Sequence, residues 1–167
     1  PFVLVLFHPV VQQATSAHAQ TAELANALSR LDVPLVWLDP NADAGSSNIL
    51  RALEGYALPA GSVRVRHLKR EVFCAAMRDC AVMVGNSSAG IIEAASFGTP
   101  VINIGDRQIL RERNSNVMDV AVQADAIFDA LKDAMSHGHW PCINRYGDGA
   151  AGERIADLVV TLDLSPG

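Results

Sequence analysis

The sequence predicts an α/β fold that is doubly wound, with helices on both faces of a parallel sheet. Short apolar runs alternate along the chain with longer segments in which apolar residues recur at helical spacing. The connections between them are short, which is typical of βαβ units around a parallel sheet. Crossovers of this kind are right-handed. We therefore expect a three-layer, Rossmann-like domain.

Each strand is predicted by a short run of mainly Val, Leu and Ile, and each helix by an apolar stripe. The first run, residues 2–7, is too short to span a membrane and is followed by Pro9, which favours a buried strand. Leu24, Leu28 and Leu31 form the stripe of the first helix. The predicted strands are residues 2–7, 33–38, 63–66, 80–84, 101–104 and 117–120, and the predicted helices are residues 15–31, 46–57, 71–78, 88–97, 124–136 and 150–162.

Size and composition favour a single domain over residues 1–167. Half of the residues are hydrophobic and 19% are charged, which argues against disorder. The formal net charge of −5 argues against a nucleic-acid partner, because nucleic-acid binders present a basic face. The chain begins at Pro1 and not at Met, which suggests an excised or processed piece. It shows no signal-peptide pattern, and we expect no membrane partner.

The cysteines and histidines give no disulfide framework and no metal site. Cys74, Cys80 and Cys142 are odd in number and not closely paired, so a reducing cytoplasm is the natural setting. His137 and His139 have no third ligand nearby in the sequence. We therefore predict no bound metal.

No cofactor is predicted either. Residues 147–152 spell the dinucleotide fingerprint G-x-G-x-x-G, but no convincing strand precedes them and no βαβ unit follows. The P-loop pattern is absent from the sequence.

The loop at residues 85–90 is the richest candidate site. Its sequence is Gly-Asn-Ser-Ser-Ala-Gly, and it joins a predicted strand to a predicted helix, where doubly wound folds bind ligands. Helix-start amides and the hydroxyls of Ser87 and Ser88 would suit a phosphate or diphosphate. The alternative is that one serine merely caps the helix.

Glu93 and Arg107 have two readings each. Glu93 would accept hydrogen bonds from a ribose diol, or it is a first-turn acid that favours the helix dipole. Arg107, Arg111 and Arg113 follow a strand and would clamp phosphate oxygens, or they pair with Asp106 and Glu112 on the surface. Their position after a strand favours phosphate for Arg107.

His8 and Asn41 follow the first two strands. His8 would face the same cleft as a proton donor or phosphate partner, although a lone histidine is more often structural. Asn41 lies in a segment that turn chemistry alone explains, and it also lies within reach of a ligand.

These motifs together resemble the UDP-N-acetylglucosamine 2-epimerase family, and in particular its hydrolysing members, which feed sialic acid synthesis. The resemblance covers nearly the whole chain. A Gly-Asn-Ser-Ser loop, rather than the Asp-Ser-Gly-Gly type of non-hydrolysing bacterial relatives, favours the hydrolysing branch. The matching segments are His8-Pro9, residues 40–45, 84–93 and 97–108, Arg111-Glu112, Asn116-Val117 and residues 146–149.

The resemblance implies one Rossmann-like half of a two-domain, GT-B-type enzyme, with the N-terminal catalytic half absent. Ser87 and Ser88 would hold the diphosphate with Arg107 near it, and Glu93 would bind the ribose hydroxyls. Backbone groups of His67 and Leu68 would meet the uracil edge. His8 would lie beside the diphosphate and act in catalysis as a proton donor, and Asn41 would line the cleft. Gly90 and Arg111 complete the set of predicted substrate-binding residues.

The implied reaction removes the C2 proton of UDP-N-acetylglucosamine, expels UDP and forms a 2-acetamidoglucal. Water then adds to give N-acetylmannosamine. The acids and bases acting on the sugar lie in the other half, so this chain alone would bind UDP weakly and turn over nothing. The full-length protein is expected to be a homo-oligomer.

Other readings stay open at this point. A non-hydrolysing epimerase would release UDP-N-acetylmannosamine, and a UDP-sugar glycosyltransferase would use the same half to hold its donor. A non-catalytic nucleotide-binding module is a further alternative. The sugar itself is N-acetylglucosamine or a 2,4-diacetamido-trideoxy sugar.

Overall fold

The fold is described by a computed structural model that covers residues 1–162 of the 167-residue chain. The last residues of the predicted domain, 163–167, lie outside this range. All six predicted strands and all six predicted helices are present, with ends that differ by a few residues. The strands are β1 (Val3–Leu6), β2 (Leu35–Leu38), β3 (Val63–Val65), β4 (Val82–Gly85), β5 (Val101–Ile104) and β6 (Val117–Val120), and the helices are α1 (Ala17–Ser29), α2 (Ser46–Leu53), α3 (Arg70–Asp79), α4 (Ser88–Ile92), α5 (Ala124–His137) and α6 (Ala151–Thr161).

The strands form one parallel sheet in the order β3-β2-β1-β4-β5-β6. The order reverses between β1 and β4, which are paired in register from Val3 with Val82 to Leu6 with Gly85. Chain connections leave these two strands in opposite directions, so a crevice opens beyond their carboxyl ends. The predicted doubly wound fold is confirmed.

Two apolar layers bury the faces of the sheet. On one face, α1, α2 and α5 cover a cluster that includes Trp37, Phe7 and Leu24. On the other, α3 and α4 cover a smaller cluster built on Leu4, Met77 and Met83. Each strand supplies side chains to both faces, since successive residues point to opposite sides. These layers hold the strand ends rigidly, and the candidate site lies on those ends.

The sequence missed three local details. A 3-10 helix, Val11–Ser16, precedes α1 where one continuous helix was predicted from residue 15. Cys80 does not begin a strand; its buried thiol donates to Met77 O at 3.3 Å at the end of α3, and burial raises its pKa to about 12. The predicted helix over residues 88–97 is broken into α4 and a 3-10 helix, Ala94–Phe97.

The helix α6 differs from the others because none of its residues is buried. Its apolar side chains Ile155, Leu158 and Val159 are more than half exposed. Across residues 1–162, no helix has both the length and the apolar composition needed to cross a membrane.

Candidate functional site

The candidate site begins where β1 and β4 approach most closely. Gly85, the last residue of β4, has a φ of +139°, and a Cβ there would lie 1.9 Å from the carbonyl oxygen of Leu6. Only glycine fits such a contact, because the clash is with backbone that cannot rotate away. Gly85 therefore allows the loop after β4 to cross directly over the end of β1.

Asn86 joins the two strand ends as they separate. Its side chain is buried, with Nδ2 donating to His8 O at 2.8 Å and Oδ1 accepting from His8 N at 2.8 Å. Its own backbone N–H donates to Leu6 O at 3.0 Å. These bonds satisfy backbone groups that no longer have a strand partner, and such groups are costly to bury unpaired. Asn86 thereby fixes His8 relative to the serine loop.

The carbonyl of Asn86 also positions Arg107. It accepts from Arg107 Nη1 at 3.0 Å and from the buried Gln108 Nε2 at 2.9 Å. Arg107 follows β5, so this pair of bonds connects a third strand end to the same loop. The guanidinium charge is close enough to His8 to lower the pKa of its imidazole.

An open cleft of about 600 Å³ lies beyond the carboxyl ends of β1, β2 and β4. Of the ten predicted site residues, seven line it: His8, Asn41, His67, Leu68, Ser87, Ser88 and Glu93. Its other lining residues are Leu6, Leu38, Asp39, Pro40, Arg66, Arg70, Phe73 and Ala89. Apolar groups form its floor and polar groups its rim, the arrangement typical of small-molecule sites.

The other three predicted residues do not line this cleft. Arg107 lines a neighbouring cavity of about 390 Å³, together with Gln13, Asp106 and Asp119, and is joined to the serine loop through Asn86. Gly90 was predicted to bind the substrate, but the structure places it away from the cleft. It is buried in α4, where its N–H donates to Ser87 O and a Cβ would lie 2.9 Å from Val101 Cγ1. Its small size serves close packing of α4 on β5 rather than contact with a ligand.

Arg111 was also predicted to bind the substrate, but it is exposed in the segment after β5 and does not line the cleft. Its N–H donates to Gln108 O at 3.3 Å, and its carbonyl accepts from Arg113 Nη1 at 2.7 Å. Arg113 forms an ion pair with Asp119 at 2.9 Å, a partner other than the Asp106 and Glu112 that the sequence suggested.

Ser87 caps α4. Its Oγ accepts from Ala89 N at 3.4 Å, a long and therefore weak capping bond, and its extended backbone is that of an N-cap residue. Ser87 and Ser88 are half-buried and both line the cleft. The cap and the anion site are compatible, because the hydroxyl proton of Ser87 is not used by the cap.

Glu93 is placed at the C-cap of α4, not in its first turn. Glu93 is also the N-cap of the following 3-10 helix, Ala94–Phe97, so its place between two short helices decides neither for nor against the dipole interpretation. Its Oε2 lies 2.5 Å from Arg70 Nη1, at the start of α3. Arg70 is a lining residue that the sequence analysis missed.

Comparison with known sequences matches this chain to one protein family. Its model, described as UDP-N-acetylglucosamine 2-epimerase, matches residues 1–160. The chain belongs to the UDP-N-acetylglucosamine 2-epimerase family.

Relatives with assigned names agree with that membership. A Legionella pneumophila protein, UDP-N,N'-diacetylbacillosamine 2-epimerase (hydrolyzing), is 39% identical over 161 residues, which are 96% of this chain and 43% of that protein. A Neisseria meningitidis UDP-N-acetylglucosamine 2-epimerase is 30% identical over 157 residues, 92% of this chain and 41% of that protein. The chain thus spans less than half the length of these relatives.

A solved structure confirms the fold. The Neisseria meningitidis UDP-GlcNAc 2-epimerase bound to UDP-GlcNAc superposes with a TM-score of 0.73 at 15% identity, over 96% of this chain and 45% of that chain. The predicted Rossmann-like fold is therefore the observed architecture, and it resembles the matched part of that epimerase.

His8 of this epimerase-family chain is held as a neutral imidazole. Its Nδ1 accepts from Asn41 N at 3.3 Å, so in the neutral ring the proton resides on Nε2. Burial is the largest cause of the lowered pKa of His8, and the positive charge of Arg107 lowers the pKa further. The negative charge of Asp43 raises it and so partly offsets both effects. At neutral pH the group therefore offers an N–H donor at Nε2 and carries no positive charge.

We predict that His8 in the free chain titrates below its ordinary value near 6.5, observed by NMR of the imidazole resonances. Because protonation disfavours the folded form, the free energy of unfolding should be highest above that ordinary value and fall as pH drops through the folded pKa. Arg107→Gln should raise the pKa of His8 and Asp43→Asn should lower it. A His8 pKa above 6.5 in the free chain would contradict this account.

Proposed function

We propose that this chain is the UDP-binding half of a hydrolysing 2-epimerase that acts on a UDP-N-acetylhexosamine. The observation that carries the proposal is the convergence of seven predicted ligand-binding residues on one cleft at the β1–β4 switch point. Membership in the UDP-N-acetylglucosamine 2-epimerase family and a 39% identical relative named as a hydrolysing epimerase support it. The alternatives have no comparable support.

The diphosphate is proposed to bind at the start of α4. Ser87 and Ser88 supply hydroxyl donors, and the first amides of a helix have no intrahelical partners. His8 faces the same cleft with a donor at Nε2. Arg107 lies behind the loop on Asn86 O, where its charge stabilises an anion without lining the cleft.

The nucleoside is proposed to extend from there toward β3 and α3. Glu93 offers a carboxylate oxygen to the ribose diol, and the backbone of His67 and Leu68 offers polar groups to the uracil edge. Leu38 and Phe73 give this part of the cleft an apolar wall for the ring. Asn41 closes the cleft beside His8.

The chemistry proposed for the full-length enzyme is an elimination followed by hydration. The C2 proton is removed, the C1–O bond breaks, UDP leaves with the electron pair, and water adds to the resulting 2-acetamidoglucal. This half of the enzyme stabilises the leaving diphosphate, where negative charge develops. The acid and base that act on the sugar belong to the other half, and a homo-oligomeric, cytoplasmic enzyme is part of the same proposal.

Ser87→Asp provides the direct test of the diphosphate site. Aspartate is a good N-cap, so α4 keeps its cap, but its charge repels a diphosphate. Calorimetric titration should show UDP binding to the unchanged chain and binding weakened by about 100-fold or more in Ser87→Asp, as like charges in contact cost several kcal/mol. Ser115→Asp, which adds the same charge before β6 at the opposite edge of the sheet, is the matched control. Equal affinities in the two variants would refute the site.

Product analysis tests the reaction. The full-length protein, incubated with UDP-N-acetylglucosamine or with the UDP-2,4-diacetamido-trideoxy sugar, should release UDP and a free 2-epimeric sugar without an acceptor. The chain of 167 residues alone should bind UDP and release none from either compound. Formation of UDP-N-acetylmannosamine would identify a non-hydrolysing epimerase instead, and a requirement for an acceptor would identify a glycosyltransferase.

A further inference from the structure

An ion pair crosses the mouth of the cleft. Arg70, the first residue of α3, places Nη1 2.5 Å from Oε2 of Glu93, the C-cap of α4. The Arg70 side chain is 64% exposed and that of Glu93 is 30% exposed, so the carboxylate is the more enclosed partner. Both residues line the cleft. The pair therefore joins the start of α3 to the end of α4 at the edge of the cleft.

The two oxygens of Glu93 have different surroundings. Oε2 is buried and has no hydrogen bond of good geometry, so the guanidinium charge of Arg70 is what compensates it. Oε1 makes no hydrogen bond with any side chain or backbone group of residues 1–162. One oxygen is fixed against the protein, and the other remains an acceptor for a ligand.

Glu93 lies between two short helices, as the C-cap of α4 and the N-cap of the 3-10 helix Ala94–Phe97, and no backbone group donates to its side chain as a cap. Glu93 in turn raises the pKa of Arg70, through the contact itself and through its charge. Ion pairs this exposed contribute little to stability, so the effect of Arg70 is on orientation rather than on folding.

We propose that Arg70 is a positioning residue for ribose recognition: it holds one oxygen of Glu93 so that the other is presented to the ribose hydroxyls. This inference rests on the proposed UDP site. It assigns to the start of α3 a part in distinguishing ribonucleotide from deoxyribonucleotide. The guanidinium does this through Glu93, without touching the ribose.

The test compares UDP with 2'-deoxy-UDP and 3'-deoxy-UDP, titrated calorimetrically into the unchanged chain and its variants. The unchanged chain should bind UDP more tightly than at least one deoxy analogue. Arg70→Met should weaken UDP binding about 2- to 5-fold, the upper part of the range expected for an exposed charge pair, and should leave that analogue nearly unaffected. The ratio of the two affinities is a quantity that a purely structural role would not change.

Three further variants complete the design. Arg70→Lys should restore part of the ratio, because a cation returns without the fixed fork of the guanidinium. Arg78→Met removes the same charge from the far end of the same helix, where Arg78 pairs with Asp79, and should leave the ratio unchanged. Arg70→Met should have no additional effect in a Glu93→Gln background, since both changes act on one interaction.

The outcomes separate the inference from the function on which it rests. If the unchanged chain binds UDP but Arg70→Met weakens UDP and both deoxy analogues equally, the positioning role is overturned and the UDP site stands. The same conclusion follows if the unchanged chain binds all three nucleotides alike. Failure of the unchanged chain to bind UDP at all would overturn the proposed function and the inference together.

Discussion

The site depends on how one buried amide closes the gap between two diverging strands. Asn86 exchanges two hydrogen bonds with the backbone of His8, at the point where β1 and β4 stop pairing. Gly85 makes this possible, because any side chain there would overlap the carbonyl of Leu6. The backbone carbonyl of Asn86 accepts hydrogen bonds from Arg107 and Gln108. The imidazole, the serine loop and the arginine are thus built around one residue that does not itself line the cleft.

The charged and polar groups around this centre make the two ends of the cleft electrostatically different. Ser87, Ser88 and the nearby charge of Arg107 favour an anion at the β1–β4 gap, whereas at the α3 side the carboxylate of Glu93 is paired with Arg70. His8 adds a hydrogen-bond donor without a permanent charge. A chain with a net charge of −5 can bind an anionic ligand in this way, since the local arrangement rather than the total charge sets the potential in a cleft.

The sequence predicted the parts of this structure that local patterns encode. Apolar runs marked all six strands, and their alternation with helices implied the parallel order and therefore the edge at which residues such as His8 and Ser87 meet. The break at Glu93 was not predicted, because the small residues after it are compatible with a continuing helix. Gly98, the residue that ends the second segment, has a φ of +66°, and a Cβ there would lie 2.0 Å from the carbonyl oxygen of Trp140.

Contacts between residues far apart in the chain escaped prediction for a different reason. Asn86 read as one more turn residue in a glycine-serine loop, and only the fold shows that it lies next to His8. Arg70 preceded the helix predicted over residues 71–78, and its partner Glu93 lies on another element, so nothing local suggested their pairing. Gly90 and Arg111 belonged to the predicted site because each lies in a segment that follows a strand, and the packing of α4 and the exposed segment after β5 place them outside the cleft.

The central claim, a nucleotide diphosphate site at the β1–β4 switch point, is tested most directly by amide chemical-shift mapping of the isotopically labelled chain during titration with UDP. The account predicts that the largest changes cluster on His8, residues 67–68 and 86–89, and Glu93, which all lie at the carboxyl edge of the sheet. Changes concentrated instead at the amino edge, around the apolar cavity lined by Pro100, Val117 and Trp140, or no changes at saturating UDP, would contradict it.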